Sequence, residues 1–430
     1  MNTDASSTSP IRLAIVGAGS RGAGYARRAA SQGAAITAVV EPDASRRAAI
    51  VAELVGQEIS FFGSWEELAA QTPRVADAAV VSTPDRFHVE PAVGLARAGY
   101  HLLLEKPMAP TEAETEQIVS AARSAGIMLA VCHVMRYSGY TKALKRLLAS
   151  GAIGEIASVE HLEPIGWWHF AHSYVRGNWA KEDTSAPMLM AKSSHDIDWL
   201  SYVIDRPVRK VSSFGNLLHF RPENKPVGAA DRCLDCPLQQ TCAYAATRIY
   251  RGFLGDETYE RWPLAVLTTD VSPAGIEQAL EDGPYGECVY NGRNDVVDHQ
   301  VVNLEYEGGI TASFTVTAFT ELDFRKTRIF GTRGSIEGDG RTLRVHDFVE
   351  DRKYEIESDS VGDASAADGH GGADDALVEA FLTAVRTGDE SALLSGPEES
   401  LASHRIVWAA EQSRTSSSTV VWQEAVAPVP

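Results

Sequence analysis

A short apolar run, Ile11-Arg12-Leu13-Ala14-Ile15-Val16, opens directly into Gly17-Ala18-Gly19-Ser20-Arg21-Gly22, and this junction constrains the fold more than any other feature. Six residues, mostly apolar and partly β-branched, read as a buried strand. Gly17 permits the tight turn out of it. Gly19 lacks a Cβ, so a pyrophosphate can approach the backbone. Gly22 lets the following helix pack close to the strand. That helix, read over 20–32, aims free N–H groups and the positive end of its dipole at the phosphates, with Ser20 and Arg21 in its first turn. A second strand, 35–40, ends at Glu41, close to the spacing at which a carboxylate grips a ribose 2′-hydroxyl. A carboxylate repels a 2′-phosphate, which favours NAD, whereas Arg46 and Arg47 leave NADP open.

About eighty residues on, the apolar run His101-Leu102-Leu103-Leu104 ends in Glu105-Lys106-Pro107. A fingerprint followed at this interval by a strand-end Glu-Lys-Pro is more specific than either motif alone. It points to nicotinamide chemistry, with Lys106 beside the nicotinamide. Strand and helix patterns alternate between them: a strand over 78–81 ending in Ser82-Thr83-Pro84, a helix over 89–98, a helix over 112–125 capped by Thr111 and stopped by Gly126, and a strand over 128–132. This order implies a parallel sheet covered by helices, with cofactors at the carboxyl ends of the strands. Thr83, Pro84, Glu105 and Lys106 all fall at such ends, and His88 follows closely.

The pattern changes near Gly151. Ile310 to Ala318 alternates apolar and polar, as an antiparallel strand with one buried face does. Glu307-Gly308-Gly309 fits a hairpin turn after 301–306, and 326–330, 335–337 and 342–347 continue the pattern. The predicted fold class is α/β: a doubly wound parallel sheet over 11–150, then a domain over 151–373 with an open, mostly antiparallel sheet. Residues 217–293 read as an insert without a core of its own. Residues 1–10 read as a disordered leader, 359–374 as a flexible connection, and 374–430 as terminal helices and a strand.

The formal net charge of -19 argues against nucleic acid or an anionic membrane as partner. Without a secretory h-region or a span-length apolar stretch, the expected location is the cytoplasm. Thiols stay reduced there, so the spacing Cys233-x2-Cys236-x5-Cys242, with Cys288 further on, suggests zinc held by four thiolates. An iron–sulfur cluster, or unligated or disulfide-paired cysteines, are the alternatives. Cys132 reads as a buried apolar residue.

The stretch 188–204 reads as a helix carrying Lys192, His195 and Asp198 three residues apart, hence on one face. His195 is the acid–base candidate, because its ordinary pKa lies near neutrality. A core role fits it as well, and fits His88, His133, His169 and His172 better. Trp167, Trp168, Tyr174, Arg176, Asn178 and Trp179 precede the helix. Aromatics among polar groups suit the faces and edges of a sugar ring, though core packing also explains some of them.

Together, the glycine turn, Thr83-Pro84 with His88, Glu105-Lys106-Pro107, Arg136-Tyr137, Gly151-Ala152-Ile153-Gly154-Glu155-Ile156 and His195-Asp196-Ile197-Asp198 resemble the glucose–fructose oxidoreductase / inositol dehydrogenase (Gfo/Idh/MocA) family over nearly the whole chain. The resemblance implies a Rossmann domain and an open-faced sheet domain that often forms the interface of a homodimer or homotetramer. It implies hydride transfer between NAD(P) and a sugar, cyclitol or related polyol, with Lys106 and His195 as acid–base pair and Arg136 and Tyr137 near substrate. Lys192, on the same helix face as His195, is the third catalytic candidate and a substrate contact: its positive charge one turn away is expected to depress the pKa of His195. One departure stands out. The family often has an aspartate four residues before the histidine, and here Ala191 occupies that position, followed by Lys192. The alternatives to a dehydrogenase are an NAD-dependent glycoside hydrolase that oxidises its substrate transiently, with Lys192 as an added base, and a non-catalytic NAD-binding sensor.

Overall fold

The computed structural model describes residues 9–358 and 369–426. Most of the expected leader and most of the expected connection over 359–374 lie outside the described residues. The chain forms two compact units, Met1–Tyr137 with Ala373–Leu401, and Ser138–Gly372 with Ala402–Pro430.

In the first unit six strands form one parallel sheet: β1 (Arg12–Val16), β2 (Ala35–Val40), β3 (Ser60–Phe62), β4 (Ala78–Val81), β5 (His101–Leu104) and β6 (Leu129–Val131), in the order β3-β2-β1-β4-β5-β6. Register places the functional edge. Val16 lies beside Val40 and Val81, and Val81 beside Leu104, so the central strands end level. Gly17, Glu41, Ser82 and Glu105 therefore all leave the sheet along one edge. Strand interiors are buried on both faces, as a sheet covered by helices requires: Ile15, Val39, Val80 and Leu102 have no exposed surface. The helix Glu112–Ala125 has the expected ends, a Thr111–Glu114 capping box and Gly126 at φ 64°. The segment after 373 packs with this unit, because Leu377, Val378, Phe381 and Leu382 complete the core around Leu13 and Ile36.

The chain leaves this unit at Tyr137, not near Gly151. The helix Gly139–Ala149 belongs to the second unit, where Thr141 Oγ1 accepts from Trp199 Nε1 at 2.8 Å and Lys145 donates to the Tyr202 carbonyl at 3.0 Å. That unit is built on nine strands: β7 (Ile156–Pro164), β8 (Val208–Asn216), β9 (His299–Tyr306), β10 (Thr311–Thr317), β11 (Lys326–Gly331), β12 (Gly334–Gly338), β13 (Thr342–Asp347), β14 (Arg352–Glu357) and β15 (Val420–Val426). Their order is β14-β13-β12-β11-β7-β10-β9-β8-β15, mostly antiparallel, with β10 parallel to β7. The alternation read in β10 is real: Ala312, Phe314 and Val316 are buried. The expected hairpin joins β9 to β10. The insert between β8 and β9 differs from expectation, since it does build a core: Ala246, Ile249, Tyr250, Leu264, Ile276, Leu280 and Tyr285 pack with Trp168 and Cys233. Among the described residues no helix is long and apolar enough to cross a membrane.

Candidate functional site

The glycine turn is shaped as its sequence requires. Gly17 has φ 90°, and a Cβ there would lie 2.9 Å from the Ser82 carbonyl oxygen. A Cβ on Gly22 would fall 1.9 Å from the Gly17 oxygen, so only glycine lets the helix Ser20–Ser31 sit this close to β1. A Cβ on Gly19 would meet nothing within 4 Å. That open side is where a pyrophosphate would lie, at a helix N-terminus to which Gly19 offers no capping side chain. Ser20 is exposed at the first turn.

Glu41 is buried against the turn. Its Oε2 accepts from the Ala18 amide at 2.9 Å and its Oε1 from the Asp43 amide at 3.0 Å. The carboxylate is thus held at the end of β2, with lone pairs left for a ribose hydroxyl. Arg47 is turned back onto the chain and donates to the carbonyls of Glu41 and Pro42 at 2.6 and 2.8 Å. Arg46 is exposed at the helix start, where Asp43 accepts from its amide.

Arg21 differs from its expected place beside the phosphates. Its Nε donates to Glu105 Oε1 at 2.5 Å, and its two amino groups donate to Asp374 at 2.7 and 3.2 Å. Tyr25 donates to the same Glu105 oxygen at 2.9 Å. The other oxygen, Oε2, accepts from the Lys106 amide at 2.8 Å. Burial works against charge on Glu105, but Arg21 and Lys106 outweigh it and hold the carboxyl below its ordinary range. Glu105 is therefore the anchor that fixes the main chain of Lys106 at the end of β5. His88 braces the same loop. It is fully buried, with Nδ1 2.8 Å from the Pro107 carbonyl oxygen and Nε2 2.7 Å from that of Thr83. Both of its ring nitrogens are engaged within the protein. Pro84 starts the short turn Asp85–Phe87 that delivers His88.

Arg136 and Tyr137 are also committed inside the first unit. Arg136 donates to the Leu394 carbonyl, and Tyr137 accepts from the Leu394 amide at 2.8 Å and pairs with Ser395 Oγ at 3.0 Å. Burial pushes the Tyr137 hydroxyl up to about 12. These contacts tie down the returning segment.

In the second unit the helix Met188–Ile204 carries Lys192 and a buried His195. The helix has no carboxylate at Ala191, but a carboxylate from a strand reaches Lys192. Glu163, at the end of β7, places Oε1 3.0 Å from Lys192 Nζ. Arg325, just before β11, bridges Glu163 at 2.6 Å and Asp196 at 2.9 Å. Asp196 also faces His161 Nε2 at 3.2 Å, while His161 Nδ1 pairs with Thr327 Oγ1 at 2.8 Å. Burial opposes charge on Asp196, yet Arg325 and His161 outweigh it and hold the carboxyl well below its usual range. His169 is neutral at physiological pH, because burial, then Lys192 and His172, drive its pKa far down. His172 follows, down to about 3, through burial and Arg176. Sequence reasoning missed Glu163, Arg325 and Asp374. A glutamate at the end of an otherwise buried stretch was the one local signal, and it pointed only to Glu163.

The aromatic run divides. Trp168 and Tyr174 are buried, Trp168 against Phe253 at 4.8 Å and Tyr174 stacked on Phe170 at 5.3 Å, so both belong to the packing. Asn178 is exposed, and Trp167 and Trp179 are half-buried. Arg176 is displaced from its expected substrate role. It is buried among the insert's cysteines and donates to Cys233 Sγ at 3.6 Å and to the carbonyls of Glu287 and Tyr244, each at 2.8 Å. Cys233, Cys236, Cys242 and Cys288 are free thiols lining one cavity. Among the described residues no three potential ligands stand at the spacing of a ready-made metal site. The four-thiolate centre expected from the sequence is thus not preassembled, although all four cysteines line the one cavity. Cys132 is buried in the first unit's core, as read.

Residues 11–133 match the model of an oxidoreductase family with an NAD-binding Rossmann fold, and residues 145–421 match the same family's C-terminal alpha/beta domain. The chain belongs to the Gfo/Idh/MocA oxidoreductase family. Two curated relatives are the 2,7-anhydro-N-acetylneuraminate hydratase of Escherichia coli K12, 26% identical over 49% of this chain and 55% of the relative, and the 1,5-anhydro-D-fructose reductase of Ensifer adhaerens, 30% identical over 42% and 52%. The chain thus spans little more than half the length of these relatives. An oxidoreductase from Agrobacterium radiobacter, solved with NAD+, L-tartaric acid and magnesium, shares the fold with a TM-score of 0.68, at 17% identity over 96% of this chain and 98% of that one.

Proposed function

We propose that the protein is an NAD-dependent oxidoreductase acting on a secondary hydroxyl of a sugar, cyclitol or glycoside. The observation that carries this reading is the clamp of Glu105 on the Lys106 amide, set on the same sheet edge as an open glycine turn. Bound NAD supplies the two-electron acceptor, and the Gly17–Gly22 turn and Glu41 would hold its pyrophosphate and ribose. Glu41 and the inward-turned Arg47 support NAD over NADP. Lys106 orients the reacting hydroxyl and stabilises the developing alkoxide charge. His195 takes the hydroxyl proton as general base. Lys192, oriented by Glu163, donates hydrogen bonds to substrate oxygen.

A second reading keeps NAD but makes the net reaction redox-neutral: transient oxidation of a ring hydroxyl, elimination at the neighbouring carbon, addition of water, and re-reduction. The Lys192–Glu163 pair favours it, as an ionisable pair beyond Lys106 and His195, and so does likeness to a relative named as a hydratase. The discriminating experiment incubates purified protein and NAD+ with sugars, inositols, anhydro-sugars and glycosides. It follows reduced nicotinamide by absorbance and products by chromatography. Stoichiometric NADH with an oxidised product supports the dehydrogenase; rearranged or cleaved product without net NADH supports the redox-neutral route. NAD binding with no turnover of any of these would defeat both.

A further inference from the structure

We infer that the insert is completed by one divalent metal ion of thiolate preference, zinc by ligand type, bound by Cys233, Cys236, Cys242 and Cys288, with the buried guanidinium of Arg176 as its outer-sphere counter-charge.

The backbone already gathers the four residues. Arg232 and Glu287 form an isolated antiparallel bridge. Around it the Cys233 amide donates to Gly286 O and the Cys288 amide to Asp231 O, both at 2.8 Å. The Cys236 amide turns back onto Cys233 O at 3.4 Å, and Cys242 is tied to Leu238 O at 2.9 Å. Two segments more than forty residues apart in sequence thus present their cysteines to one cavity of about 30 Å³, room for one or two water-sized bodies. Each thiol can turn about its Cα–Cβ bond toward an ion in that cavity. On binding, each coordinating thiol releases its proton to solvent and forms a metal–sulfur bond.

The second observation is independent of the cysteines. Arg176 is 1% exposed and carries a permanent charge. Its hydrogen bonds go to two carbonyl oxygens, one sulfur and the neutral Tyr250 hydroxyl, and its Nη1 has no hydrogen-bond partner among the described residues. No ion pair joins it to a carboxylate among those residues. A buried cation left like this is costly unless an anion faces it. Zinc with four thiolates carries a net double negative charge, and an arginine N–H on a ligating sulfur is the kind of outer contact that tunes such a site. The metal also answers a structural need. From 217 to 245 the chain has no strand or α-helix, only the short turn Pro222–Asn224, so a metal would add a tie to a segment without regular structure.

The test uses the full-length, untagged protein and does not depend on turnover or on NAD. Elemental analysis should find about one zinc per chain, as a closed four-thiolate site requires. Metal-free protein titrated with Co2+ should give the intense visible bands of tetrahedral cobalt thiolate. Cys132→Ser should leave that titration unchanged, while Cys288→Ser should weaken or abolish it. Should Cys288→Ser fail to fold, Arg176→Met serves instead: the fold's apolar volume is kept, and metal affinity should fall roughly 10- to 100-fold, the usual effect of losing an outer-sphere partner. Folded protein free of metal, with four thiols reacting freely with a thiol reagent, overturns the proposal. So does a mass loss showing disulfides, a brown iron–sulfur chromophore, or unchanged affinity in Arg176→Met.

Discussion

Replacing Glu163 by glutamine tests how the second unit's charged cluster is built. Glu163 is 2% exposed and lies 3.0 Å from Lys192 and 2.6 Å from Arg325. Unit charges at those separations attract by roughly 5–6 kcal/mol each at an effective dielectric of about 20. Much of this only offsets the desolvation of buried Glu163 and its two partly buried partners. The amide keeps the shape but removes the charge, leaving Lys192 without its paired carboxylate and Arg325 with Asp196 alone. Loss of one member of a buried pair costs about 3–5 kcal/mol, because its partner stays buried and unpaired. For a unit of this size that lowers the melting temperature by roughly 6–20 °C, at 2–4 °C per kcal/mol. Calorimetry or circular dichroism at neutral pH reads it directly. Glu163→Gln combined with Lys192→Met should recover part of the loss, with a coupling of roughly 0.5–3 kcal/mol. A Glu163→Gln protein melting within about a degree of wild type would refute the reasoning, since the pair would then carry no net stability. An additive double variant would refute the narrower point that Glu163 acts on Lys192.

Gly19→Val should fold normally, since φ at Gly19 is -70° and a Cβ there meets nothing within 4 Å, yet it should lose NADH binding by fluorescence titration; retained affinity would place the pyrophosphate elsewhere. Lys106→Ala should remove most of kcat with NADH affinity kept, and His195→Ala should cost roughly two to four orders of magnitude in kcat, the usual share of general acid–base catalysis. Asp196 and Glu105 titrate below their ordinary values in the folded state, so the stability they contribute is complete above the unfolded carboxyl pKa near 4 and is lost as pH falls through the folded values. Asp196→Asn should therefore flatten the acid limb of a melting-temperature profile below about pH 4, and an unchanged limb would show that its charge is not what stabilises the unit.

Periodicity and turn chemistry are local, and what they govern was legible. The run from Ile11 to Gly22, the capped helix Glu112–Ala125 and the alternation of β10 each declare themselves within a dozen residues. Lys106 and Glu105 were legible as strand-end residues for the same reason. What is not local could not be read. Asp374 meets Arg21 from more than three hundred residues away, and the sequence around it reads only as Gly/Ala/Asp-rich chain. Arg21 and Arg136 sit at positions that suggest ligands, but each is captured by a partner from the segment Ala373–Leu401, whose packing with the first unit no short pattern announces. Arg176 was misread for a similar reason: its neighbours in sequence are aromatic, while its neighbours in space are cysteines of the insert.

The absent helix carboxylate shows why a site can be rebuilt across elements. Register fixes where strand residues land. Leu162 of β7 pairs with Lys326, so the end of β7 lies level with the start of β11, where Arg325 stands. A carboxylate at Glu163 can therefore reach Lys192 from the sheet, whereas position 191, its neighbour in sequence, faces a different side of the helix. The change is not neutral in charge. An aspartate at 191 would add one negative group to the helix, whereas here Lys192 and Arg325 are balanced by Glu163 and Asp196. Lys192 is thus an ion-paired cation with donors left over, not a lone charge able to push strongly on a neighbouring histidine. Its pull on His195 should be weaker than helix spacing alone suggests, and Lys192→Met should act on substrate affinity more than on the pH dependence of the rate.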